Sequence, residues 1–496
     1  MPAENAVLII VIPLISAFLV PLIGRWKRHF SYFCTIGALA TVSLISTSTL
    51  LKTIKEGNIG YHMGGWAPPF GIELAIDPLN AMMLVLVSVI SLLVAVYSYR
   101  SVDQELSDRM VYFYTLYLLQ VTGFAGILIT GDLFNLYVFL EIASLSGYAL
   151  IAVGENGAPL ACFRYIIMGT IGASFYLLGV GYIYMVTGSL NMADVHQLLP
   201  ALYDSKVIAA ALAFILTGLG IKMALFPLHI WLPDAYTKAP SASSALIAPL
   251  MTKISLYVMI RVLFYVFDIS ILENLFPISR MMVWAGFAAI CGGAIMAMAQ
   301  TDFKRMLCYI LVAEVGYIVG GLGLANAVAF KGAILHMVND AMMTAGLFTV
   351  AGIIMYKIRH RDLSDFKGLF QTMPLTMCAF VACALSIIGI PPTCGFFSKW
   401  YLIQGGILAM QWPFVGALIA SSLINVFLFF RIMEMGYSFR PSHKRPMAIN
   451  TTETGINEAP MSMVIPTLGI AASVILMGLY NQVIVNRIIA FAVPMG

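Results

Sequence analysis

The chain has 496 residues, 61% hydrophobic and only 10% charged, whereas a soluble domain carries about 25% charged side chains. That balance excludes an ordinary soluble protein and describes a polytopic membrane protein, in which a formal net charge of +4 is an orientation signal rather than a nucleic-acid surface. The seven cysteines, Cys34, Cys162, Cys291, Cys308, Cys378, Cys383 and Cys394, never take a CxxC spacing. Haem-attachment and nucleotide-binding patterns do not occur either, so no cofactor and no metal is expected on this chain, and any redox chemistry is expected on another subunit.

Apolar runs of about 20 residues, the length that crosses a bilayer, recur from end to end. The first, near 5–24, has neither a basic n-region nor a convincing cleavage site and is read as a retained helix. After the second, 31–51, the segment 52–76 carries Gly64, Gly65, Pro68 and Pro69 and predicts a short hairpin or turn. Runs at 77–99, 110–130, 133–153 and 162–187 follow, then a polar connection at 188–205. The next run, 206–237, is interrupted by Pro227 and Pro233, and a later one, 374–410, by Gly389, Pro391, Pro392 and Gly395. Such residues remove or weaken helical hydrogen bonds at membrane depth. Runs at 241–267, 279–300, 304–323, 325–356, 413–439 and 461–485 bring the expectation to about fourteen spans, with a Pro-bearing polar segment at 440–460.

Fourteen spans divide the basic residues unequally. Arg25, Lys27, Arg28, Arg100, Arg109, Lys304, Arg305, Lys357, Arg359, Arg361, Lys367, Arg440, Lys444 and Arg445 fall on one side, against mainly Lys52, Lys55, Lys206 and Arg487 on the other. Because cytoplasmic loops are enriched in Lys and Arg, both termini are expected on the non-cytoplasmic side. The chain also repeats itself at an offset of about 170 residues: Asp132, Gly147 and Tyr148 align near Asp302, Gly316 and Tyr317; Phe163-Arg164 with Phe330-Lys331; and Leu246-Ile247-Ala248 with Leu418-Ile419-Ala420. In that frame Lys253 falls on Asn425. Two bundles of five helices, each with one broken helix carrying a lysine, are the implied architecture.

Four charged side chains lie well inside apolar spans: Glu141, Lys222, Lys253 and Lys399. Each costs roughly 2.5 to 3.5 kcal/mol at mid-bilayer, so together they read as a charge path. Glu141 is either a structural carboxylate or the partner of Lys222, which stands five residues before Pro227. Burial disfavours the ammonium form and a neighbouring carboxylate favours it, so opening and closing that contact switches Lys222 between releasing and holding a proton. Lys253, flanked by Thr252 and Ser255, either snorkels or relays; Lys399, after the second break, ends the path. Secondary candidates are His229, between Pro227 and Pro233 and suited to steadying that break, Glu314, His336 and Asp340. His336 and Asp340 are spaced i, i+4, which permits a hydrogen-bonded pair on one helical face.

The segments GDLFNLYVFLEIASLSGYALIA, RYIIMGTIGASFYLLG, KMALFPLHIWLPDAY, APSASSALIAPLMTKISLYVMIR and LSIIGIPPTCGFFSKWYL resemble the proton-translocating, antiporter-like membrane subunits shared by Mrp-type cation/proton antiporters, respiratory complex I and membrane-bound hydrogenases, the D-type Mrp subunit above all. The likeness runs through about residue 440. It implies fourteen helices with two inverted five-helix repeats, here 110–267 and 279–440, preceded by helices 1–3 and a periplasmic-side hairpin in 1–109 and followed by a C-terminal helix in 461–496. It also implies a switchable Glu141–Lys222 pair, Lys253 as the central bridge and Lys399 as the terminal proton carrier.

In the second half the chain departs from the family pattern. His336 is kept, but Asp340 and Thr344 stand where relatives carry a histidine and a lysine, and Ala313-Glu314 stands where many have Ser-Gln. The expectation is that Glu314 or Asp340 compensates Lys399 electrostatically, or attracts a cation near it. Three functions follow from these readings. The first is a sodium or other monovalent cation/proton antiporter subunit; the second is the ion-pumping membrane module of a hydrogenase, formate dehydrogenase or quinone reductase; the third is an organic-solute carrier that merely shares the span count. Other membrane subunits, protons, monovalent cations and lipid are the expected partners, without nucleic acid, and no catalytic redox step is expected on this chain.

Overall fold

The computed structural model describes residues 2–154, 157–268, 277–438 and 456–492; Arg440, Lys444 and Arg445, counted above as basic loop residues, lie outside the described residues. The N-terminal helices are α1 (Pro2–Gly24), α2 (His29–Glu56) and α3 (Pro78–Glu105), with strands β1 (Ile59–His62) and β2 (Glu73–Ile76) between the last two. These strands pair antiparallel, Ile59 opposite Ile76 and His62 opposite Glu73, forming the hairpin that the Gly and Pro residues predict.

Next come α4 (Met110–Ile129), α5 (Leu133–Ala152), α6 (Ala158–Thr187), the short α7 (Met192–Leu198), α8 (Lys206–Lys222), α9 (Trp231–Lys238) and α10 (Ser241–Ile260), which continues as a π-turn over Arg261–Val266. The second half repeats the plan with α11 (Ile278–Met298), α12 (Phe303–Gly323), α13 (Ala327–Ile358), α14 (Pro374–Ile388), α15 (Cys394–Leu408) and α16 (Trp412–Tyr437); α17 (Met461–Leu479) and a short helix, Asn481–Arg487, follow. Among the described residues twelve helices are long and apolar enough to cross a membrane. With the two interrupted spans, α8–α9 and α14–α15, they make up the fourteen expected.

Asp132 and Asp302 show why the halves match. Each accepts a backbone hydrogen bond at the start of its helix, Asp132 from Asn135 N at 2.7 Å and Asp302 from Arg305 N at 3.0 Å, satisfying a donor that lipid would leave bare. Each also anchors a two-bond clasp to the segment after the following helix. In the first half Leu133 N donates to Leu190 O and Met192 N to Gly131 O; in the second Phe303 N donates to Arg361 O and Leu363 N to Thr301 O.

The clasps lie at opposite ends of α10. At one end Arg261 is paired with Asp77 just after β2, whose Glu73 holds Gly131 and Asn191 of the first clasp. At the other end Ser241 N donates to Glu105, Lys304 Nζ to Ala239 O, and Arg361 to Thr237 O beside the second clasp. Equivalent structures at opposite ends make the repeats inverted. That second end also gathers basic loop residues separated in sequence: Arg28 lies 3.8 Å from Asp103, and Arg305 3.5 Å from Asp234.

Both broken spans are set locally. Past α8 the backbone turns at Ala224, with φ of 57°, and past α14 at Gly389, with φ of 94°, a left-handed conformation that favours glycine. The indole of Trp231, stacked on Tyr165 at 4.0 Å, donates to Ile221 O at 3.0 Å, a carbonyl at the first break that also accepts from Ala224 N.

Helix α12 packs directly on α11 through glycines: a Cβ on Gly316 would lie 2.8 Å from Gly286 O and 2.9 Å from Ile290 N. Close backbone approach through small residues is the usual means of packing helices where lipid supplies no hydrophobic drive. Gly316→Val is therefore expected to destabilise the fold by at least about 1 to 3 kcal/mol, the cost of overpacking, read as a lower melting temperature in detergent. A wild-type melt would show that these helices are free to separate.

Candidate proton path

Four ionisable side chains of the membrane interior sit on well-covered helices. Of the apolar windows of α10 and α12, 94% of residues are buried, against 33% for α1. Lys253 comes from α10, Glu314 from α12, and His336 and Asp340 from α13, so the centre of the bundle rather than its lipid-facing rim holds the charge.

At the first break Lys222 Nζ lies 3.4 Å from Glu141 Oε1 and donates to Ser144 Oγ at 2.6 Å. Lysine and glutamate are 2% and 25% exposed, so the pair is closed on the Lys222 side and reachable on the Glu141 side. At about 4 Å and an effective dielectric of about 20 such an attraction is on the order of 4 kcal/mol, enough to decide whether the amine holds its proton. Lys222 is also the last residue of α8, and the negative end of a helix favours a cation.

The second break uses the same device with a different residue position. Lys399 belongs to α15, beyond the break, but its ammonium reaches back to Ile387 O at 2.5 Å, near the C-terminal end of α14. It lies 3.8 Å from Glu314 Oε1, 3.3 Å from Ser422 Oγ and 4.9 Å from the centre of the Tyr317 ring. Glu314 in turn meets His336 Nε2 at 2.6 Å, and His336 Nδ1 meets Ser398 Oγ at 2.9 Å. With the carboxylate ionised, Nε2 carries the hydrogen of the His336–Glu314 contact. Lys399 also lines a cleft of about 360 Å³ with Phe396, Trp400, Ile419 and Leu423.

Between the two breaks Lys253 Nζ lies 2.6 Å from Asp340 Oδ2, both side chains 0% exposed, in an ion-pair contact that is not aligned as a hydrogen bond. Asp340 Oδ1 accepts from Thr344 Oγ1 at 2.8 Å. This corrects the expected His336–Asp340 pair. The two side chains do share a face of α13, but each is taken by another helix, His336 by Glu314 and Asp340 by Lys253. Of the two acids expected to compensate Lys399, Glu314 makes the direct contact. His229 stands apart in the α8–α9 connection, stacked on Phe226 at 5.1 Å and edge-on to Tyr309 at 6.1 Å. Among the described residues no hydrogen bond or ion pair joins Lys222 directly to Lys253, or Lys253 to His336.

The NADH:quinone oxidoreductase/Mrp antiporter transmembrane family matches residues 130–425, and the N-terminal family of complex I chain 5 matches residues 66–100. The chain is 45% identical to NADH-quinone oxidoreductase subunit N of Desulforudis audaxviator over 100% of its own length and 99% of that protein. The chain belongs to the NADH:quinone oxidoreductase/Mrp antiporter family. Another relative, the D-type subunit of the Na(+)/H(+) antiporter of Alkalihalophilus pseudofirmus, is 30% identical over 95% of this chain and 93% of its own. A chain of the membrane-bound sulfane sulfur reductase, an archaeal respiratory membrane complex, superposes with a TM-score of 0.88 at 29% identity, covering 98% of this chain and 96% of that one.

An antiporter-like subunit of this family is a multi-pass membrane protein, and the reading as an unrelated organic-solute carrier falls away. Several contributors to its ion pairs escaped notice in the sequence. Ser144 had a usable signal: it lies three residues after Glu141, on the same face of α5. Ser398 stands beside Lys399. Tyr317 and the Ile387 carbonyl carried no signal, because only the packing of α15 against α12 and α14 brings them to the ammonium.

Proposed function

We propose that this chain is the proton-translocating subunit of a multisubunit monovalent cation (Na+)/proton antiporter and moves protons by way of Glu141, Lys222, Lys253, His336, Glu314 and Lys399. The observation that carries this reading is that each broken helix places a lysine ammonium at the negative end of its first half, against a carboxylate from a neighbouring span. The likeness to a protein named as a sodium/proton antiporter component supports it.

In the proposed cycle a partner subunit or bound cation disturbs the Glu141–Lys222 pair, and Lys222 releases its proton toward Lys253. From there the proton reaches Nδ1 of His336, which gives its Nε2 hydrogen to Glu314, and the resulting carboxylic acid protonates neutral Lys399. No cofactor on this chain takes part. The end gathering Arg28, Arg305 and Arg361 faces the cytoplasm, which leaves both termini on the opposite side.

A second reading is favoured by the relative named NADH-quinone oxidoreductase subunit N and by the sulfane sulfur reductase structure. In it the same path works as a pump driven by redox chemistry on another subunit. Purifying the chain with its bound neighbours, identifying them by mass, and measuring sodium-dependent collapse of a pH gradient in vesicles separates the two. Small membrane subunits and sodium dependence are expected for the antiporter; iron–sulfur or nickel subunits and electron-dependent pumping would establish the alternative.

A further inference from the structure

Every lysine of the path owns a carboxylate: Lys222 has Glu141 at 3.4 Å, Lys253 has Asp340 at 2.6 Å and Lys399 has Glu314 at 3.8 Å. The two outer pairs hang on broken helices. The central one joins two continuous helices, α10 of the first repeat and α13 of the second, and neither of its members has any exposed surface. Asp340 is held from its own helix by Thr344, and His336 stands one turn away on α13, about 6 Å of rise. In the second repeat the position of Lys253 is taken by the buried Asn425, so the central lysine has no duplicate.

We propose that Asp340 is the switching counter-ion of Lys253 and gates proton passage from the first repeat to the second; the proposal rests on the proton-translocation reading above. When Lys222 donates, its N–H bond breaks, a new N–H bond forms on neutral Lys253, and the ammonium closes on the Asp340 carboxylate beside His336. When that proton moves on to His336 Nδ1, Lys253 is left as a neutral amine and its pair with Asp340 opens. The bare carboxylate, shut away from water, then draws the next proton onto Lys253. Without Asp340 the central amine would have no anion to receive it, and the two halves would exchange protons slowly.

The test uses the assembled complex in proteoliposomes, with proton transport followed across pH. Asp340→Asn is expected to lower the rate about tenfold, less than the roughly 10²- to 10⁴-fold of a lost proton-transfer group because Asp340 holds the ammonium without carrying the proton, and to move the alkaline limb of the profile to lower pH by about one unit. Asp340→Glu, which keeps the charge, is expected to recover part of the rate and of the limb position lost in Asp340→Asn. Thr344→Val removes a donor to the carboxylate without removing its charge, strengthens its hold on the ammonium, and is expected to shift the limb the opposite way by a few tenths of a unit.

If Asp340→Asn fails to assemble, the Thr344→Val shift decides the matter. A wild-type profile in assembled Asp340→Asn, or in Thr344→Val where only that variant assembles, overturns the gate while a dead Lys222→Ala complex leaves the proton path standing. Wild-type transport in Lys222→Ala as well overturns both.

Discussion

Lys222→Ala is expected to abolish pH-gradient-coupled transport in vesicles while the complex still assembles. The amine sits at the end of α8 with Glu141 and Ser144 as its side-chain partners, so its removal takes away the proposed proton carrier and leaves neither partner an amine to meet. Loss of a positioned proton-transfer group lowers rates by about 10² to 10⁴-fold, which in a vesicle assay reads as none. Glu141→Ala is expected to give the same loss by a different route: it strands a buried ammonium with a single hydroxyl, and breaking a buried pair costs about 3 to 5 kcal/mol. The partial exposure of Glu141 screens some of that attraction and puts the figure at the lower end. Wild-type transport in either well-assembled variant would reject the assignment of this pair.

Glu314→Gln should be nearly as damaging, although the sequence placed Glu314 among the secondary candidates. Its carboxylate bridges His336 Nε2 at 2.6 Å and Lys399 Nζ at 3.8 Å, so one neutral substitution removes both the acceptor from histidine and the anion facing the terminal lysine. A glutamine still hydrogen-bonds His336, and protein levels are expected to hold. Transport is expected to fall about a hundredfold, the lower end for a group of this kind. Unchanged transport and unchanged cation dependence, at normal protein levels, would show that protons leave the second repeat by another route.

The sequence carried the architecture because lipid imposes severe rules on it. Runs of about 20 apolar residues, Pro and Gly at two breaks, and basic loops of one parity each reflect a single large energetic term, the cost of bare backbone or charge in hydrocarbon. For the same reason Glu141, Lys222, Lys253 and Lys399 stood out without any knowledge of their neighbours: a charge is conspicuous where it is expensive. The internal repeat was visible at Asp132 and Asp302 because a helix start needs a cap in each half.

Partner choice was decided elsewhere. His336 and Asp340 share a helical face, and their i, i+4 spacing permits a pair, yet Glu314 takes one and Lys253 the other, since a cross-helix carboxylate or ammonium at 2.6 Å outweighs a same-helix neighbour. What the sequence by itself determined is that ionisable groups must lie inside this membrane protein and on which spans, because hydropathy and helix breaks are properties of consecutive residues. Which acid neutralises which base was settled only in the tertiary structure, because the partners stand on different helices, α10 far along the chain from α13, and Coulomb attraction depends on the separation of charges in space.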